Sequence, residues 1–282
     1  MSGENISMQH KHFSLLIVLL IALILLACGK KDKNDTLSTM GSLSYKTVHF
    51  EKTAGNCDHP DSSCARISIA YPEIQKAPTE AAKEEINRFI QNSVLKSGFS
   101  GETAPSVEVL MAEFIDQYKS VDRDFPGYPN YKWVDEKEMK VLYSNADVAS
   151  FSLAEQAFTG GAHGLSTVLY YNFDLQDGKQ LALSNLFVPG YEDELIHIGE
   201  IQFRKVKQLP TGEKLSSAGF WFENDNFKLN DNFAITKAGL AFYYNSYEIG
   251  PYAMGPTELL LPYENLKMII PNEGVLSKFI QN

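Results

Sequence analysis

The spacing of apolar residues changes along this chain, and that change limits the fold more than any single motif does. Residues 44–51 and 65–71 alternate in the strand manner, with Ile67, Ile69 and Tyr71 on one face and Pro72 closing the run. From Thr79 the period lengthens. Ala82, Ile86, Phe89, Ile90 and Val94 recur at three and four residues, with Pro78 and Thr79 as a start signal and Gly98 as a stop. A second helix from Ser106 gathers Val107, Leu110, Met111, Phe114, Tyr118 and Val121 on one side, and residues 122–131 form a proline-rich loop. Period 2 returns at 140–144, 148–158 and 165–174, and Asp177-Gly178 predicts a tight turn into a strand at 180–183. A helical turn at 184–187 precedes a third long helix at 192–209, with Leu195, Ile198, Val206 and Leu209 inward. Strands at 233–236 and 240–244 pair over Lys237-Ala238-Gly239, a last strand runs over 258–261, and short helices lie at 263–268 and 275–280. Hairpins beside segregated helices predict an α+β fold with antiparallel sheets and helices packed on one face, not a parallel doubly wound sheet.

The amino terminus bears on location. Residues 13–27 are almost unbroken Leu, Ile, Val and Ala behind His10, Lys11 and His12. That is short for a membrane span, which needs about 20 residues, and matches a secretory h-region. Met8 opens the better n-region. Leu25-Leu26-Ala27-Cys28 resembles the end of a bacterial lipoprotein signal, which implies cleavage of residues 1–27 and diacylglycerol on the Cys28 sulfur. The expected location is the cell envelope, with the body lipid-anchored outside the cytoplasm; an uncleaved anchor would place it there too. Residues 28–43, polar with little to bury, read as a flexible tether.

In an oxidising compartment Cys57 and Cys64, flanking a turn-rich loop, are expected to form a disulfide. The alternative, a metal held by Cys57, His59 and Cys64, fits no common zinc spacing, so no metal and no cofactor is expected. The formal charge of −10 repels nucleic acid and anionic lipid heads and draws cationic proteins.

The segments Asn232-Phe233-Ala234-Ile235-Thr236, Gly239-Leu240-Ala241-Phe242-Tyr243-Tyr244 and Tyr247-Glu248-Ile249-Gly250-Pro251-Tyr252-Ala253-Met254-Gly255 are the most specific signal in the body. They resemble the carboxy-terminal domain of the RsiV-like family of bacterial envelope proteins, a domain of unknown function. The glycine loop at 159–164 and the turn at 174–187 are similar too, and residues 67–72 with the two following helices resemble its companion amino-terminal domain. The main departure is Gly250, where Ala is usual. The resemblance implies two closely associated α+β subdomains, residues 44–158 and 159–282, and no settled activity. Family members include the ectodomain of a lysozyme-sensing anti-sigma factor, an accessory region of a peptidoglycan deacetylase, and lipoproteins of unknown role. The short stub before the apolar run leaves no room to hold a sigma factor, so a binding surface is what carries over.

His163, between Gly161 and Gly164, could serve a ligand or simply bond the local backbone of a turn. Tyr247, Glu248, Pro251 and Tyr252 form an aromatic loop stiffened by proline, the composition of a recognition surface, although tyrosines there could equally pack the loop onto the sheet. These five residues are the expected ligand-binding set, and no catalytic residue is assigned. A non-catalytic module for a lysozyme-like protein or a cell-wall glycan is the expectation. The alternatives are a hydrolase or deacetylase acting on peptidoglycan or polysaccharide, for which Glu155, Asp174 and Glu248 supply carboxylates, and a structural lipoprotein without a ligand.

Overall fold

The computed structural model describes residues 31–33, 36–59, 62–98, 101–124 and 132–280. The leader and Cys28 lie outside them, and no described helix is long and apolar enough to cross a membrane. The fold is α+β. Strands β1 (Lys31–Lys33), β2 (Ser38–Met40), β3 (Leu43–Gly55), β4 (Cys64–Lys76), β5 (Lys132–Ser144), β6 (Val148–Phe158) and β7 (Leu165–Asp174) form one sheet in the order β1-β3-β4-β5-β6-β7, with β2 also on β3.

Part of the segment read as a flexible tether is therefore strand, because β1 and β2 both pair antiparallel with the outer edge of β3. The backbone groups of that edge need partners whatever the side chains are. Cys57 and Cys64 form a disulfide, with Cα atoms 5.2 Å apart, that staples the β3–β4 hairpin. Their thiolates are consumed, which rules out the metal alternative at this loop. Pro72 does not end β4. The ladder to β5 stops at Ala70, so from there β4 has a partner on one side only, where a missing N–H is tolerated.

Helices α1 (Glu80–Val94) and α2 (Val107–Asp124) connect β4 to β5, which makes that pair parallel while the other pairs of the sheet are antiparallel. Thr79 caps α1 by accepting from the Ala82 N–H at 3.1 Å. Ala82, Ile86, Ile90 and Val94 face the sheet as their spacing predicts, against Ile67, Ile69, Met139, Phe151 and Phe173. Gly178 lies against α1: a Cβ there would meet the Ala82 Cα at 2.9 Å, and φ is +75°. The chain after that turn makes only a single bridge, Phe173 to Gln180, in place of a strand, and then coils into a 3-10 turn at Leu183–Asn185.

The second core packs α3 (Glu192–Lys207) on a three-stranded antiparallel sheet of β8 (Phe233–Ile235), β9 (Gly239–Tyr244) and β10 (Thr257–Pro262), followed by α4 (Tyr263–Leu266). Leu195 and Ile198 point inward, but Val206 is exposed and Phe203 takes the central position, its ring within 5.5 Å of Phe220, Phe222 and Phe227.

Three asparagines join the two sheets where a main-chain ladder would otherwise run. Asn172 on β7 donates to the Phe233 carbonyl at 2.7 Å and accepts from the Ile235 N–H at 2.8 Å and the Ser150 hydroxyl at 2.7 Å. Asn232 accepts from the Tyr170 N–H, and Asn245 from the Val168 N–H, each at 2.7 Å. The antiparallel ladder to β6, from Val148 opposite Asp174 to Ala157 opposite Leu165, keeps β7 within the first sheet, so that sheet runs past residue 158, and the seam ties it to the second. The seam also brings the loop after β9 beside the β6–β7 loop.

Candidate functional site

The β6–β7 loop turns on Gly160 and Gly161, at φ of +109° and +102°, a region that side chains disfavour. It presents His163 to solvent. The imidazole Nδ1 lies 3.2 Å from the Gly164 carbonyl and Nε2 lies 3.1 Å from the Tyr247 hydroxyl. A carbonyl can only accept, so in the neutral ring Nδ1 carries the hydrogen and Nε2 accepts from tyrosine. His163 also stacks on Tyr252, with centroids 4.2 Å apart and planes 14° from parallel, and Tyr247 sits 5.4 Å from Tyr252. Three of the expected ligand-binding side chains thus meet as one ring cluster, and Tyr247 and Tyr252 are 51% and 40% exposed.

Tyr247 holds a φ of +70°, rare for a bulky residue and an arrangement that the surroundings must enforce. Glu248 enforces it. One carboxylate oxygen accepts from the Asn245 N–H at 2.8 Å and the other from the Asn230 side chain at 2.6 Å. Both oxygens of Glu248 hold the turn and so position Tyr247. Pro251 is exposed and leads into the 3-10 turn Tyr252–Met254. At Gly250 a Cβ would meet the Met254 sulfur at 2.6 Å, so the alanine usual there would displace a flexible side chain, not backbone.

Beneath His163 opens a pocket of about 260 Å³ floored by Asp135 and Glu155 and walled by Ala157, Phe158 and Leu165. Its charged floor was not legible as a site, because β5 begins at Lys132 and not at residue 140. Trp133, Asp135, Lys137, Met139 and Val141 alternate onto the core face, so one acid and one base occupy positions a strand normally gives to apolar side chains. That misfit, Asp and Lys at two-residue spacing between Trp and Met, is the signal that could have found them.

Lys137 is 2% exposed, donates to the Lys96 carbonyl just past the end of α1, and stands 3.6 Å from Glu155, its cross-strand partner. A carbonyl acceptor and a carboxylate within reach make this place favourable for a buried cation. Asp135 is 3% exposed, and its Oδ1 has no hydrogen-bond partner among the described residues. Burial pushes its carboxyl up to about 6, opposed by the charge of Lys137 and reinforced by that of Glu155. A buried acceptor left bare costs about 1–3 kcal/mol, and more if charged.

Of the carboxylates considered as a catalytic pair, only Glu155 reaches this pocket. Asp174 instead caps the turn after β7 by accepting from the Gln176 N–H at 2.7 Å. No group of three or more His, Cys, Asp or Glu among the described residues could hold a metal. A larger hollow of about 410 Å³, beside Tyr170 and Asp231, includes Asn172, whose amide is already bonded across the seam.

Two family models match, one in each half. Residues 59–166 match the model described as deacetylase PdaC, and residues 184–264 match a protein family of unknown function, DUF3298. The first holds β5, β6 and the glycine loop with Asp135, Glu155 and His163; the second holds the loop with Tyr247 and Tyr252. A curated relative, peptidoglycan-N-acetylmuramic acid deacetylase PdaC of Bacillus subtilis, is 22% identical over 170 residues, an alignment covering 60% of this chain and 35% of that protein. The chain therefore spans about a third of that relative's length. Among solved structures, a DUF3298 family member from Bacteroides fragilis superposes with a TM-score of 0.68 at 23% identity, covering 87% of this chain and all of the other. A DUF3298 family protein from Pseudomonas aeruginosa gives 0.60 at 19% identity, over 80% of this chain and 94% of that one. These likenesses show a shared fold.

Proposed function

We propose that this protein is a non-catalytic binding module of the cell envelope, anchored through a lipid on Cys28, that recognises cell-wall glycan at the His163–Tyr247–Tyr252 cluster and the pocket below it. The observation that carries this reading is the stack of His163, which lines the pocket, on the partly exposed Tyr252 at 4.2 Å, beside Tyr247 in a strained turn. Aromatic faces give large contact area at little entropic loss, and sugars offer apolar C–H faces to meet them. The match of residues 59–166 to a deacetylase model, and the name of the Bacillus relative, support a cell-wall ligand.

Two alternatives have observations of their own. The exposed tyrosines together with a net charge of −10 favour a cationic, lysozyme-like protein as partner. Asp135 and Glu155 beside His163 favour a hydrolase or deacetylase. Sedimentation of the protein with purified peptidoglycan, assayed for released acetate and reducing ends and repeated with immobilised lysozyme, separates the three. The module reading expects co-sedimentation without product, weakened about tenfold by Tyr252→Ala, a loss typical of a central aromatic contact. Product release abolished by Asp135→Asn would replace it with the enzyme, and capture by lysozyme alone would replace the glycan with a protein.

A further inference from the structure

We propose that the pocket below His163 takes the protonated primary amine of a hexosamine, with Asp135 as the acceptor. The proposal rests on the glycan reading above and names the class of sugar. Asp135 is 97% buried by its 3% exposure, it lines the pocket, and Oδ1 accepts from nothing among the described residues. The neighbouring ammonium is already engaged, since Lys137 donates to the Lys96 carbonyl and pairs with Glu155. Two carboxylates facing one lysine leave a single negative charge in a poorly solvated place, which a monocation with N–H donors answers. A divalent ion is poorly served, because no three metal-ligating side chains stand together among the described residues.

The volume of about 260 Å³ suits one sugar ring. Ala157, Phe158 and Leu165 offer an apolar wall to ring C–H groups, while Thr159 and His163 put polar groups at the mouth. A lysine side chain of a protein could supply the same ammonium. It would leave the ring cluster idle, whereas a glycan leaving the pocket passes His163, which lines the pocket and stacks on Tyr252.

Calorimetric titration at neutral pH compares a glucosamine tetramer, an N-acetylglucosamine tetramer and a lysine amide on the wild type, Asp135→Asn and Glu155→Gln. The free-amine tetramer is expected to bind about tenfold more tightly than the acetylated one, as a charge-assisted bond replaces a neutral contact, and Asp135→Asn is expected to erase that preference. If Asp135→Asn does not fold, Glu155→Gln, which removes the same unit of charge, is expected to erase it as well. Equal binding of both tetramers, or a preference that survives Asp135→Asn, overturns the amine proposal and leaves the glycan reading standing. Binding of neither tetramer overturns both, and binding of lysine amide as tight as the free-amine tetramer assigns the pocket to a protein partner and overturns the sugar.

Discussion

Asn172 and Asp135 are buried to nearly the same degree, 2% and 3% exposed, yet both polar side-chain atoms of the first have partners and Oδ1 of the second has none among the described residues. Asn172 spends its amide on the Phe233 carbonyl, the Ile235 N–H and the Ser150 hydroxyl, and so replaces the ladder that would otherwise join two sheets. Asp135 lines a pocket while its buried Oδ1 has no partner among the described residues, and its carboxyl is pushed up to about 6. A polar group whose bonds close within the protein is part of the architecture. One left without a partner beside a cavity is stability given up, of the kind that functional sites carry.

The largest effect is expected at the seam. Asn172→Ala strands two buried backbone groups and a hydroxyl, for a loss on the order of 3–5 kcal/mol in urea unfolding. A loss under about 1 kcal/mol would mean that water or backbone shifts replace the amide, and the contrast would fail. Asp135→Asn is expected to have the opposite sign, stabilising the free protein at neutral pH by roughly 1–3 kcal/mol, because it removes a charge that burial disfavours.

The pH dependence follows the same logic. The folded-state value of about 6 lies above the ordinary 3.8, so the folded protein holds this proton more tightly. The contribution of Asp135 to stability is therefore present below about pH 4 and lost as pH rises to about 6. Lys137 and Glu155 face it from β5 and β6 with charges of opposite sign, the first lowering and the second raising its carboxyl. The difference in unfolding free energy between wild type and Asp135→Asn should thus widen over that window and stay level above it; a difference independent of pH would contradict the burial of an ionisable Asp135.

How much of this was readable in advance differs from place to place for physical reasons. The helices and the long hairpins follow from apolar spacing, since Ile86, Ile90 and Phe151 have no other way to leave water. His163, Tyr247 and Tyr252 were visible as candidates because glycine density and an aromatic, proline-bound loop mark special backbone. The first half of β5 was hidden because Asp135 and Lys137 interrupt the apolar alternation that announces a strand. The seam was hidden too: Asn172, Asn232 and Asn245 look like loop residues, and only the fold shows their amides meeting backbone 61 to 77 residues away.

Smaller effects sharpen the comparison at the loop. Glu248→Ala removes the two bonds that hold the turn, and a loss of about 1 kcal/mol in urea is expected, accompanied by weaker glycan binding because Tyr247 is released from its left-handed conformation. Tyr252→Ala touches an exposed ring and is expected to change stability by less than about 0.5 kcal/mol while still weakening binding. Equal stability losses in the two variants would mean that Tyr252 packs the loop, with no separate part in recognition.

The contrast between a closed seam and an open pocket is tested most directly by a crystal structure of the protein grown with a glucosamine oligosaccharide. The expected result is a sugar amine within hydrogen-bond distance of the Asp135 carboxylate, with the adjoining ring against His163 and Tyr252 and the bonds of Asn172 unchanged. An empty pocket under saturating ligand, or a sugar bound elsewhere with Asp135 still bare, would contradict it.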